Sequence, residues 1–245
     1  MKLLGIIPSR YNSSRFPGKP LVTIDGKSMV RRVYIQALKS QLLDKVIIAT
    51  DDERIFKHVE NFGGEVVMTS GHLETCTARC AEAVRIFGGN YDGIINIPGD
   101  TPFIQPAQID SVATCIEEGA DIATLIRRID NKKDYDGSVT VKVIVNQKSE
   151  ALYFSRSPVP YVRKGITMPL LREKKFFKQT DLYGYKASVL QALAKLTISP
   201  LEELESIEQL RWLDAGYRIK VKETLFETIG VDSMEDLEKV KGMRV

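Results

Sequence analysis

LLGIIPSRYNSSRFPGKP, residues 3–20, is the stretch from which the rest of the chain is read. Its first six residues form an unbroken apolar run of strand length, and a run without polar alternation suits a strand covered on both faces. Polar, glycine-containing and proline-containing residues then interrupt it, and helical periodicity follows from about Ser28 to Lys39. The same order of strand, loop and helix recurs downstream. KVIIAT (45–50) precedes DDERIFKHVENFG, in which Asp51 or Asp52 can cap a helix that Gly63 and Gly64 end. EVVM (65–68) precedes a helical stretch to about Phe87, and GIINIP (93–98) precedes a helix from near Pro106. This repetition predicts an α/β fold with a mostly parallel sheet flanked by helices.

Beyond Asp121 the pattern changes. DIATLIRRI and SVTVKVIV alternate or run β-branched, with a DGS turn at 136–138 between them, so antiparallel strands are expected there. Residues 158–178 are basic and irregular, DLYGYKA (181–187) reads as a strand, and 201–215 as one helix. RIKVKE (218–223) then gives a strand, and Ser233 with Asp236 three residues on opens a last helix.

The 245 residues suffice for one large core, so a single domain over 1–245 with a small insert at about 128–180 is expected. Basic and acidic residues number 35 and 32 and are interspersed, which argues against a nucleic-acid-binding arm while a slight positive excess suits anionic small molecules. The opening apolar run is too short for an export signal or a membrane span, so a cytoplasmic protein without membrane insertion is expected. Three cysteines in such a compartment read as free thiols. His72, Cys76 and Cys80 fall at i, i+4 and i+8, but with no fourth ligand nearby the plainer reading, cysteine as a small apolar residue, is preferred to zinc. His58 is expected at the surface and Trp212 in the core or a dimer contact.

Two places carry chemistry. The loop after the first strand holds Arg10, Arg15 and Lys19 among small, turn-forming residues, and open α/β sheets bind ligands at the carboxyl ends of their strands. Three cations there suit a triphosphate, although the loop matches neither the P-loop nor the dinucleotide fingerprint. Asp100, in NIPGDTP after the fourth strand, would project into the same crevice as a Mg²⁺ ligand. Because Mg²⁺ takes one or two carboxylates with phosphate oxygens and water, a second acid is sought, and Asp232 in TIGVDS is the candidate.

GIIPSRYNSSRFPGKPL, VIIATDDERI, NIPGDTP, ALYFSR, LYGY, LEELESIEQLRWL and VDSMEDLEKV follow one another in an order that resembles the 3-deoxy-manno-octulosonate cytidylyltransferase (CMP-Kdo synthetase) family, from Leu3 to about Val240. The resemblance implies a three-layer, Rossmann-like nucleotide-diphospho-sugar transferase fold with an antiparallel dimerisation insert, assembled as a homodimer. It implies a lipopolysaccharide-assembly enzyme that uses Mg²⁺ and joins CMP from CTP to the acidic sugar Kdo, releasing pyrophosphate. Pro8, Arg10, Arg15, Lys19 and Gly99 would then surround the nucleotide, with Thr75, Thr77 and Arg79 towards the base. Asp100 and Asp232 would hold the metal and, with Lys19, form the catalytic set. Arg156, Gln179, Tyr183, Glu205, Glu208 and Gln209 would face the sugar.

The chain departs from the family pattern in two places, the nucleobase segment and the sugar side. The usual Ser-Gly-Thr before Glu-Arg reads Thr75, Cys76, Thr77, Ala78 and Arg79. Around the metal and sugar, Pro98, Thr101, Val139 and Gln179 replace an amide, a carboxylate, an Asn and a His. A different acidic sugar, or a non-catalytic nucleotide-binding homologue, are the alternatives these changes raise. Glu205 and Gln209, four apart in the expected helix, would share one face.

Overall fold

The computed structural model describes residues 1–12 and 16–243. In chain order its strands are β1 (Leu3–Ser9), β2 (Thr23–Ile24), β3 (Lys27–Ser28), β4 (Lys45–Thr50), β5 (Val66–Met68), β6 (Gly93–Asn96), β7 (Ile122–Arg128), β8 (Lys142–Val145), β9 (Ala151–Ser155), β10 (Phe177–Lys186) and β11 (Ile219–Glu223). Its α-helices are α1 (Met29–Ala37), α2 (Glu53–Asn61), α3 (Cys76–Phe87), α4 (Pro106–Glu117), α5 (Lys132–Asp136), α6 (Met168–Glu173), α7 (Ala187–Leu193), α8 (Pro200–Glu205), α9 (Gln209–Asp214) and α10 (Met234–Val240). A 3₁₀ turn, Lys19–Leu21, follows the first loop.

The main sheet runs β11-β7-β10-β6-β1-β4-β5. β6, β1, β4 and β5 pair in parallel, as the unbroken apolar runs predict. β10 enters between β6 and β7 antiparallel to both, so its side chains reach the edge where the parallel strands end from the opposite direction. Along β1, Leu4 and Ile6 pack into one core with α3, α7 and α9, while Leu3 and Ile7 pack into a second with α1, α2 and α4. Both faces are therefore covered, and the architecture is three-layered.

Helix starts follow their caps. Ser28, Asp52, Thr75 and Ser233 each accept a backbone N–H in the first turn of α1, α2, α3 and α10. Such caps satisfy amides that have no partner within the helix.

Two expectations are corrected. β7 and β8 do not form a hairpin across 136–138: α5 and its C-cap Gly137 intervene, and each strand pairs instead with β10. β8 makes its hairpin with β9. The helix expected over 201–215 is two, because Ser206 adopts φ 52°, ψ 49° and ends α8. Glu205 and Gln209 therefore lie on different helices and do not share a face.

Candidate functional site

Gly18 sets the end of the first loop. It sits at φ 74°, a left-handed conformation that costs glycine little, and its N–H bonds Tyr11 O at 2.9 Å. Lys19 follows at the start of the 3₁₀ turn. Its Nζ lies 2.8 Å from Asp100 Oδ2 and 2.9 Å from Asp232 Oδ1. Burial alone would lower the lysine pKa, but the two carboxylates outweigh it and hold the ammonium above its ordinary range.

Each carboxylate is brought there by backbone. Gly99 packs so closely on the end of β1 that an added Cβ would stand 2.7 Å from Pro8 O, which draws the β6 loop against the carboxyl end of β1. Val231 N then donates to Asp100 O at 2.9 Å, stitching the segment before α10 across from Asp100. The capped start of α10 supports Asp232 from behind: Asp232 N donates to Asp236 Oδ2, and Ser233 Oγ donates to the same oxygen. Two hard oxygen donors converging on one point suit a divalent cation such as Mg²⁺. No cluster of three or more His, Cys, Asp or Glu able to hold a metal occurs among the described residues, so phosphate oxygens and water would complete the shell of a bound ion.

The N-terminus of α3 forms a second wall. Thr75 caps it, accepting from Ala78 N at 3.1 Å, and Thr77 is buried. Solvent reaches Cys76, yet surrounding protein crowds its thiol and, with the charge of Glu208 next in effect, pushes its pKa up to about 11. Arg79 is 1% exposed. Its guanidinium is taken by Asp51 (2.9 Å), Thr69 Oγ1 (2.6 Å) and the carbonyls of Ser70 and Leu73, so it braces the loop beneath the wall. His72 precedes α3 in an exposed turn, so His72, Cys76 and Cys80 do not line one helix face.

A cleft of about 190 Å³ opens beside Lys19, lined by Asp100, Thr101, Val139, Gln179, Asp181 and Asp232 among others. At its side Tyr183 Oη donates to Gln179 Oε1 at 3.1 Å, while Gln209 Nε2 donates to both Gln179 Oε1 (2.8 Å) and Tyr183 Oη. Arg156 stands at the far rim. It donates to the carbonyls of Ser138, Glu205 and Ser206, and its own N–H is received by the Glu205 carboxylate. Glu208 faces the hydroxyls of Thr75 and Thr77, and burial is the main cause raising its pKa. It therefore belongs to the α3 wall as much as to the cleft.

Of the residues expected from sequence, Lys19, Asp100 and Asp232 meet at one point, and Gln179, Tyr183 and Gln209 form one network. Arg10 is exposed within electrostatic reach of Cys76. Arg15 lies outside the described residues. Asp181 was not anticipated. Solvent reaches it, but protein encloses it, and that burial followed by the charges of Asp100 and Asp232 pushes its carboxyl up to about 6. The signal that could have found it is its spacing of two from Gln179 and Tyr183 along one strand. His58 is also more than a surface residue: its Nε2 lies 2.7 Å from Ser28 Oγ, tying α2 to α1.

The family described as Cytidylyltransferase matches residues 4–223. A 3-deoxy-manno-octulosonate cytidylyltransferase from Parabacteroides distasonis is 48% identical over 244 residues, covering 98% of this chain and 96% of the relative. One from Fusobacterium nucleatum is 46% identical over 242 residues, covering 98% and 96%. Among solved structures, a CMP:2-keto-3-deoxy-manno-octonic acid synthetase complexed with CTP superposes with a TM-score of 0.90 at 38% identity, covering 98% of this chain and 97% of that one. A cytidylyltransferase from Leptospira borgpetersenii, at 16% identity and a TM-score of 0.64, shares the fold.

Proposed function

The chain belongs to the 3-deoxy-manno-octulosonate cytidylyltransferase family, and on that premise we propose that it transfers CMP from CTP to Kdo and releases pyrophosphate. The observation that carries this reading is the junction of Lys19, Asp100 and Asp232 at the carboxyl edge of β1 and β6. An open α/β sheet binds its ligand at that edge.

In this reading Lys19, with Arg10 and Arg15 of the same loop, neutralises the triphosphate and stabilises charge developing on the pyrophosphate leaving group. Thr75 and Thr77 face the base, and Pro8 and Gly99 keep the two loops in register behind the nucleotide. Asp100 and Asp232 would hold Mg²⁺. When bound, the ion polarises the α-phosphate and lowers the pKa of the attacking hydroxyl. The residues of the cleft do the rest by orientation: Arg156, Gln179, Tyr183, Glu205, Glu208 and Gln209 hold the sugar so that its anomeric hydroxyl lies in line with the α-phosphate. Proton and charge management then suffice, and no protein nucleophile is required. Among the described residues no helix is long and apolar enough to cross a membrane.

The test is pyrophosphate release from CTP, UTP, ATP and GTP with Mg²⁺, each with and without Kdo, for the wild type and Asp100→Ala. Release is expected only with CTP and Kdo together, falling by about a hundredfold or more in the variant, as removal of a group that stabilises transition-state charge does. Measurable CTP affinity without release on Kdo would instead favour a different sugar acid, a second reading motivated by Gln179 and Asp181 in the cleft.

A further inference from the structure

The cleft beside Lys19 contains a hydrogen-bond chain whose direction is fixed at one end. An ionised carboxylate only accepts. Because Gln179 Nε2 lies 3.2 Å from Asp181 Oδ1, the amino group of Gln179 must face Asp181 and its Oε1 must face inwards. Oε1 accepts there from Tyr183 Oη and from Gln209 Nε2. Gln209 Nε2 also donates to Tyr183 Oη, so both of its N–H groups are spent and its Oε1 takes no bond from the described residues. Asp181 thus orients two amides that lie on different elements, β10 and α9.

What this leaves open to a ligand has a definite character. Asp181 offers further lone pairs and Gln179 offers one remaining N–H, both on the lining of the cleft. The other anions of the cleft are engaged: Asp100 and Asp232 with Lys19, and Glu227 with Arg127 at 3.3 Å. Lys178 in turn is held by Asp134 at 2.6 Å.

We propose that Asp181 is a specificity-determining residue, accepting a hydrogen bond from a hydroxyl of the acceptor sugar and setting the donor and acceptor polarity of the Gln179–Tyr183–Gln209 network. The proposal rests on the reading of this cleft as the sugar site. It makes the site a reader of hydroxyl donors, so the preferred substrate presents hydroxyls, and not its carboxylate, to this wall. A site built around a particular hydroxyl rejects the analogue that lacks it, because its own polar groups are then left unpaired.

The experiment compares the wild type with Asp181→Asn and Asp181→Ala in steady-state pyrophosphate release, with CTP and Mg²⁺. The acceptors are Kdo and its mono-deoxy derivatives, one hydroxyl removed at a time. The wild type is expected to lose about tenfold or more in kcat/KM on at least one deoxy derivative. Asp181→Asn, nearly isosteric but able to donate, should raise KM for Kdo by about tenfold, leave KM for CTP unchanged, and lose the discrimination against that derivative. A structural disturbance alone would not erase selectivity while sparing CTP. An active wild type indifferent to every deoxy derivative, or an Asp181→Asn enzyme with wild-type KM and selectivity, overturns the role of Asp181 and leaves the cytidylyltransferase reading standing. A wild type inert towards Kdo and all its derivatives overturns both.

Discussion

Asp181 is enclosed by protein in a crevice it shares with Asp100 and Asp232, and it bears the cost of that burial and crowding. Its carboxyl binds a proton more tightly in the folded protein, with a pKa near 6, than in the unfolded chain at the ordinary 3.8. The folded state therefore holds more protons than the unfolded state in the window from about pH 4 to pH 6, and stability falls as pH rises through it. Asp181→Asn should raise the unfolding temperature of the ligand-free protein at pH 7.5, and the gain should shrink as the pH is lowered to 5. Thermal unfolding followed by circular dichroism at both values checks this; a gain independent of pH would mean that the carboxylate is not strained by its neighbours. Stability surrendered at a binding site in this way is a familiar trade. At this scale the sequence is informative where a charged residue stands in a loop beyond a strand, as Lys19, Asp100 and Asp232 do. It is silent on where a side chain turns. Arg79 stands in a nucleotide-facing motif, but Asp51, 28 positions earlier, claims its guanidinium. Asp181 belongs to no motif, and only the meeting of β10 with the β6 loop gives it a role.

The wall made by residues 137–141 hangs on one buried cation. Lys142 on β8 has no exposed surface, and its ammonium donates to the carbonyls of Gly137 (2.8 Å), Thr140 (2.8 Å) and Arg156 (2.5 Å). Burial lowers its pKa, and the carboxylate of Glu205 opposes that shift. Through Arg156 the tie extends to Ser138 O and to the end of α8. Lys142→Met keeps most of the packing but leaves three carbonyls without their donor, so it should destabilise the protein by roughly 2–4 kcal/mol. It should also loosen the 137–141 segment, raising KM for the sugar more than KM for CTP. Denaturant unfolding and steady-state kinetics together check the prediction, and equal increases in the two KM values would argue against a wall specific to the sugar. The parallel strands were legible because each is a continuous apolar run covered on both faces. The β7, α5 and β8 region was not. Local alternation cannot reveal that the partner of both strands is β10, whose Phe177 stands opposite both Arg128 and Val143, since pairing at that range is decided by tertiary packing. The break at Ser206 was equally hidden, because a left-handed residue inside an amphipathic run leaves the helical pattern around it intact.

For the molecule as a whole, the two cores on either side of the sheet account for most buried apolar residues; within the region from 128 to 180, Val143, Ala151 and Phe154 join the core of Leu4 and Ile6, while a small separate cluster forms around Ile129 and Tyr135. Phe176 is buried in that cluster with Ile129, Tyr135 and Leu171. Other residues of the region take the exposed position instead. Leu152 on β9 is 58% exposed, Tyr161 85% and Met168 41%, and among the described residues β9 pairs as a strand only with β8, its other edge being tied to β11 just at its start, where Glu150 bridges Lys220. Apolar side chains beside an open strand edge are a liability in a monomer and an asset at an interface. A second copy of the chain is the occupant that the homodimer expectation names. Light scattering after gel filtration at micromolar concentration should give twice the mass of the chain. Leu152→Asp combined with Met168→Asp should give the single mass while leaving CTP affinity within about twofold, since a surface charge far from a site rarely alters it. A wild type that elutes as a monomer would remove the homodimer.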